Sequence, residues 1–144
     1  MADRSAAGPP GPSRPLPMLN RDNVAFWTGG AQGELLIHRC RSCDYFIHPP
    51  SSFCPRCEGR DVSPTPVSGE GVVASFSINY RAWAPDLPVP YVLAFVELVE
   101  QPDVRLATNI TGCPPEEVHI GMAVRVRFEA HEDVWLPFFE PVTS

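Results

Sequence analysis

Four cysteines offer the clearest chemistry in this sequence. Cys40 and Cys43 are separated by two residues, Cys54 and Cys57 by two more, and ten residues lie between the pairs. A C-x-x-C segment can place two sulfurs on one side of a tight turn, with backbone amides pointing at them. Two such knuckles at the ends of a hairpin complete a tetrahedral four-sulfur shell. Zinc, with no geometric preference of its own, suits that cage, and iron accepts the same spacing. Four protein ligands leave no position for water or substrate, so the metal is read as structural. Such binding contributes about 10–16 kcal/mol in zinc-finger peptides, and a ribbon this short depends on it. A redox dithiol needs one pair at a helix start rather than two matched pairs.

Other reactive side chains do not assemble into a catalytic set. Cys113, in Thr108–Pro115, has no histidine near it in sequence and reads as a small buried apolar residue. His38, His48, His119 and His131 are scattered, and His131-Glu132-Asp133 reads as a solvated turn. There is no phosphate-binding glycine loop, nucleophile elbow or dinucleotide fingerprint. Arg125 and Arg127 share one face of a strand, and with Arg81 and Arg105 they are candidates for an anion-binding patch. Arg81-Ala82-Trp83 is a further candidate, because tryptophan beside arginine can stack on a nucleotide and pair with its phosphate.

The elements that must position these groups are short. Proline is frequent, at 18 residues, and excludes long helices. Residues 1–19 are rich in proline, glycine, serine and alanine and read as a solvated tail. Residues 20–33 read as a brief helix, with Asn20 at its cap, Asp22 in its first turn and Gly29-Gly30 ending it. Val24, Phe26 and Trp27 load it heavily with apolar surface, so it must dock on the ribbon or on another subunit. Residues 34–61 hold the cysteine hairpins, a strand over 34–39 entering the first pair and another over 45–50 returning. From 62 to 144 the pattern is all β. Val72, Ala74, Phe76, Ile78 and Tyr80 alternate against Val73, Ser75, Ser77 and Asn79. The run 91–100 is almost continuously apolar, as in a central strand, and strands at 104–111, 122–130 and 134–141 follow. Pro114–Val118 can form one helical turn between the third and fourth of these strands. Five short strands with a helical turn in that place predict an OB-fold barrel rather than a plain sandwich.

Bulk properties narrow the function classes. The chain has 144 residues, enough for one small domain with a metal-held appendage. All eleven basic residues are arginine, which removes Schiff-base catalysis by a lysine of this chain. The formal charge is -6, and becomes -8 once four thiolates and one divalent ion are counted. Such a balance opposes general nucleic-acid binding. No apolar run is long enough to span a membrane, and residues 1–19 carry no secretory apolar segment, so a reduced, cytoplasmic setting is expected.

Several segments together resemble a known family. These are Ala25-Phe26-Trp27, Gly33–Cys40, Pro49-Pro50 and Cys54-Pro55-Arg56-Cys57, followed by Ser68–Gly71, Pro90–Ala94, Val96–Leu98, Thr108–Cys113 and Ile120–Val124. They resemble the rubredoxin-like zinc ribbon and OB barrel of acyl-CoA-associated OB-fold proteins, over about residues 20–141. The resemblance implies a non-catalytic partner of a thiolase-fold enzyme: a sterol-carrier-type thiolase, an HMG-CoA synthase, or a retro-aldolase that shortens steroid side chains as CoA thioesters. It implies structural zinc, and a barrel that helps bind or channel the acyl-CoA ester. Arg81, Trp83, Arg105, Arg125 and Arg127 then become candidate CoA contacts, and Val24, Phe26 and Trp27 candidate partner contacts. Asp44 and Glu58 depart from the family, where glycine often follows each cysteine pair. A single-stranded nucleic-acid binder and an iron electron carrier are the alternatives.

Overall fold

The computed structural model describes residues 15–82 and 87–142. It is mainly β. A helix, α1 (Val24–Thr28), runs into a 3-10 turn (Gly29–Gln32). Three strands form the ribbon sheet: β1 (Leu35–Cys40), β2 (Phe46–Ile47) and β3 (Val62–Val67). Five more form the barrel: β4 (Glu70–Asn79), β5 (Tyr91–Leu98), β6 (Arg105–Ile110), β7 (Ala123–His131) and β8 (Val134–Pro141). No helix among the described residues is long and apolar enough to cross a membrane.

The barrel closes in the order β4-β5-β6-β8-β7, with β4 and β7 antiparallel and β6 and β8 parallel at Ile110 and Phe139. The expected helical turn between the third and fourth barrel strands is present as a 3-10 turn, Pro115–Glu117, led by Pro114. This is the OB arrangement. Val73, Val96, Val124 and Phe139 fill the interior and are fully enclosed. Thr108 is the polar exception, and its hydroxyl donates to the Pro137 carbonyl at 3.0 Å, tying β6 to β8. Such a bond offsets the cost of burying the hydroxyl.

The alternation read along 71–80 holds in kind but not in phase. The pairing of β4 with β5 slips between Val73 and Ser75. Val73, not Val72, is buried, and past the slip Phe76 and Ile78 pack on the same core. A bulge adds one residue to one strand and switches which parity faces inward.

The ribbon also holds β3, which the sequence does not announce. It carries Pro64 and Pro66, and sequence division places it at the start of the second domain. It pairs with β1 over its whole length, Leu35 opposite Val67 through Cys40 opposite Val62. β3 is an edge strand, so the missing amide hydrogens of its prolines can face away from the ladder.

The N-terminal segment also differs. Asn20 accepts from the amides of Asp22 and Asn23 and so closes a turn before the helix, whose N-cap is Asn23. The glycines do not end the helical path: Gly29 and Gly30 continue it to Gln32, and Gly33, at φ 73°, ends it. Leu16 and Leu19, assigned to the tail, lie against Val134, Leu136 and Phe138 of β8 together with Trp27. Residues 1–14 of that tail lie outside the described residues.

Ribbon and barrel share one core. Leu35 and Ile37 of β1 and Phe26 of α1 belong to the same buried cluster as the barrel interior. A polar clamp orients the ribbon's free edge. The Gln101 side chain accepts from the Phe46 amide and donates to the Phe46 carbonyl, both at 2.9 Å, as a neighbouring strand would. Its amide also donates to Asp103 at 2.8 Å, and the Tyr45 hydroxyl donates to the same carboxylate at 2.6 Å.

Candidate metal centre

The two cysteine pairs sit on near-identical knuckles. β1 delivers Cys40 at its last residue, and its amide donates to the Tyr45 carbonyl while the Asp44 amide returns to the Cys40 carbonyl. In the second knuckle the Cys54 amide donates to Gly59 and the Glu58 amide to Cys54. The turn needs a left-handed residue after the second cysteine. Asp44 and Glu58 fill that position at φ 66° and 65°.

The sulfurs converge. Cys40 Sγ lies 3.6 Å from Cys57 Sγ, and Cys43 Sγ 3.7 Å from Cys54 Sγ, with all four within 4.8 Å of one another. A tetrahedron with metal–sulfur distances of about 2.3 Å has edges of about 3.8 Å. The donor set therefore fits one tetrahedral thiolate-loving ion. Cys40 and Cys54 are buried, Cys43 and Cys57 exposed.

Electrostatics make the same demand. The amides of Cys43 and Ser42 hold the Cys40 thiol below its usual range, against burial. Burial pushes Cys54 up, but the amides of Cys57 and Arg56 outweigh it and bring the thiol down to about 7. For Cys43 the Tyr45 amide favours the thiolate, yet desolvation and the other three sulfurs push it up to about 12. Cys57 is favoured by the Gly59 amide but raised overall, chiefly by the Cys40 sulfur. One thiolate per knuckle is easy; four together require a cation between them.

A left-handed conformation costs an ordinary L-residue about 1–2 kcal/mol, and aspartate tolerates it better than glutamate. Asp44 is also within 3.7 Å of Arg39. Glu58→Gly is therefore expected to stabilise the metal-loaded protein by about 1 kcal/mol, and Asp44→Gly by less. Thermal unfolding of the loaded protein checks this; a lower midpoint for Glu58→Gly contradicts the strain argument.

Two histidines back the centre without joining it. His38 is buried on β1, its Nδ1 3.0 Å from the Ser51 carbonyl oxygen. His48 packs its ring 4.8 Å from that of Phe26. Burial, with the nearby His38, brings its pKa down to about 4, and Nδ1 has no hydrogen-bond partner. His48 is thus a neutral wedge between the cysteine loop and α1. A groove of about 210 Å³ runs beside it, between Tyr45, Phe53 and Asp103.

The other candidates separate. Arg105 faces Glu97 at 3.3 Å, Arg125 faces Glu140 at 4.0 Å, and Arg127 faces Glu129 at 2.9 Å. Arg127 also donates to Thr111 and lies over the Phe138 ring. Arg81 is exposed beyond the end of β4, up to about 30 Å along the strand from Val72, whose partner Glu97 holds Arg105. The four do not form one patch. Trp83 lies outside the described residues. Of the docking candidates, Phe26 is 4% exposed and part of this chain's own core, Trp27 packs on β8, and Val24 stays at the surface. Gln101, Asp103 and His48, which hold the ribbon in place, carry no local sequence signal because their partners are distant in the chain.

Residues 27–63 match the family model described as "ChsH2, rubredoxin-like zinc ribbon domain", and residues 64–129 the one described as "ChsH2, C-terminal OB-fold domain". The solved structure "Ltp2-ChsH2(DUF35) aldolase" contains a chain 39% identical to this one, with a TM-score of 0.78, covering 89% of this chain and 100% of that one. A "Probable enoyl-CoA hydratase alpha subunit" of Thermomonospora curvata is 38% identical over 89% of this chain and 40% of its own length. "Benzoylsuccinyl-CoA thiolase subunit BbsA" of Thauera aromatica is 31% identical over 54% of this chain and 51% of that protein. This chain spans about two fifths of the length of the first curated relatives that it matches.

Proposed function

The chain belongs to the ChsH2 family of zinc-ribbon and OB-fold proteins, and from that premise we propose that it is a non-catalytic accessory subunit of a thiolase-fold acyl-CoA enzyme. The enzyme is a sterol-carrier-type thiolase or a retro-aldolase acting on steroid side chains as CoA thioesters. The observation that carries the reading is the match to the whole ChsH2(DUF35) chain of an aldolase named for two components. The thiolase subunit among the relatives points the same way. Bond-making belongs to the partner. This chain stabilises it and helps hold or channel the CoA ester.

In this reading the four-cysteine centre holds zinc as a structural ion, through Cys40, Cys43, Cys54 and Cys57. Zinc there fixes two knuckles and does not touch substrate. Arg105, Arg125 and Arg127 already face carboxylates, so a CoA phosphate must displace one to bind them. Arg81 is the stronger phosphate candidate on that ground.

Co-expression with a thiolase-fold protein from the same genome tests the proposal. The expected result is a stable complex whose CoA-ester turnover exceeds that of the partner alone by at least about tenfold, or ~1.4 kcal/mol in the barrier. Failure to co-purify, with full activity of the partner alone, would refute it. Metal analysis and the visible spectrum decide the ion: one zinc per chain in a colourless sample is expected, whereas a red iron-loaded protein assigns the electron-carrier alternative.

A further inference from the structure

β5 carries an anomaly. Its inward residues Val92, Ala94 and Val96 are buried, but its outward residues Leu93 and Phe95 are also apolar and are 46% and 49% exposed. They stand about 7 Å apart on one face. Their cross-strand neighbours are Ser77 and Ser75 on β4, and Asn109 and Ala107 on β6. None of these six positions bears a charge. An isolated barrel strand ordinarily turns polar or charged residues outward.

Elsewhere the chain covers such residues itself. Val134, Leu136 and Phe138 of β8 lie under Leu16, Leu19 and Trp27. Among the described residues nothing does this for Leu93 and Phe95, across the barrel from β8.

We propose that the outer face of β4-β5-β6, centred on Leu93 and Phe95, is the surface that docks on the thiolase-fold subunit; this rests on the functional reading above. Three strands by three alternate residues cover roughly 300 Å². That is the core of an interface rather than the whole, since a stable one takes about 800 Å² per partner. Interface cores are depleted in charge and rimmed by polar groups. Here the rim is the Arg105–Glu97 pair at one end and exposed Tyr80 and Arg81 beyond the other. Charge decides between occupants. A second copy brings another net charge of -6 against the first. Single-stranded nucleic acid needs a run of unpaired cations beside its stacking platform, and here Arg105 is held by Glu97, which leaves a single arginine, Arg81, at the far rim. An uncharged apolar surface on a folded enzyme subunit satisfies both constraints.

The test uses the full chain with both residues changed, Leu93→Thr and Phe95→Thr, which keeps strand-forming side chains. A control carries Met18→Thr and Ile120→Thr, also exposed apolar residues but outside β4, β5 and β6. Metal content and thermal midpoint verify folding of each. Capture of the co-expressed thiolase-fold subunit is measured by titration. The face variant is expected to weaken binding at least 30-fold and the control less than threefold. If the unaltered chain binds and the face variant binds equally well, the surface is wrong while the functional reading stands. If the unaltered chain captures no thiolase-fold protein, both fall. A dimer of the unaltered chain that the face variant dissolves, or single-stranded DNA binding that it loses, assigns the face to another occupant and overturns the proposal.

Discussion

Cys54→Ser is expected to abolish metal binding and to unfold the ribbon, while the barrel remains folded at a lower midpoint. Cys54 is fully buried between the two knuckles, and its sulfur takes amide hydrogen bonds that shape the second one. Serine is a poor ligand for a thiolate-loving ion, so one corner of the four-sulfur shell is lost. The ribbon has almost no core of its own: Cys40, Ile47 and Cys54, with Tyr45 and Val62 against them. Metal binding supplies about 10–16 kcal/mol in comparable ribbons, far more than three buried residues do. The barrel feels the loss because Leu35 and Ile37 reach into its core. Metal analysis and amide exchange at Cys40 and Cys54 are the measurements. A full metal complement with unchanged protection contradicts the centre as drawn.

The pH dependence of metal affinity reports what the ribbon does when it loses the ion. If the metal-free ribbon stayed folded, Cys43, at about 12, and Cys57, also raised, would hold protons at neutral pH. Cys54, at about 7, would hold one below that. As pH drops, affinity would then fall by about two decades per unit above 7 and more steeply below it. If the ribbon unfolds, four ordinary thiols near 8.5 are protonated together, and the slope approaches four decades per unit below about 8. The unfolded alternative is expected. In both cases the sign is the same: acid favours the protonated, metal-free form.

What could be read from the sequence follows from the range of each interaction. The knuckles are local, so spacing alone places the four sulfurs on one ion. The barrel's strand count and the turn at Pro115–Glu117 are also local, set by alternation and by proline at a helical start. β3 is hidden in the sequence because two prolines in six residues are a signal against a strand, and only an edge position next to β1 makes them harmless. The apolar set of β4 keeps its face at Phe76 and Ile78 and loses it at Val72, because a bulge leaves no mark on a run of small and apolar residues. The arginine patch dissolved for a different reason. Sequence shows the four cations but not that Glu97, Glu140 and Glu129 stand within 4.0 Å of three of them. Phe26 is apolar enough for a partner contact, and its burial under β1 and β8 depends on how the helix turns back, which two glycines decide.

Of those two glycines, Gly30 has the larger expected effect. A Cβ there would lie 2.5 Å from Cβ of Trp135 and 2.7 Å from the Phe128 ring. Neither is the loose end of a flexible chain: Trp135 Cβ is fixed to β8, and Phe128 packs on the barrel core. The 3-10 turn must therefore move off β7 and β8. Overpacking of this kind costs about 1–3 kcal/mol, and the rigidity of both neighbours puts Gly30→Ala near the upper end. A drop of roughly 6–12 °C in the thermal midpoint is expected for a domain of this size. Gly33→Ala serves as the contrast, since no atom lies within 4 Å of its Cβ and the cost there is left-handed strain alone. Trp27 and Trp135 both flank the displaced turn, so their emission is expected to shift to longer wavelength in Gly30→Ala and not in Gly33→Ala. An unchanged midpoint and emission for Gly30→Ala means that the turn is not seated on β8 as drawn. Leu93 and Phe95 lie on the opposite side of the barrel, so at temperatures where the variant is folded, capture of the thiolase-fold subunit is expected to survive. On that outcome the helix is this chain's own brace rather than a partner contact.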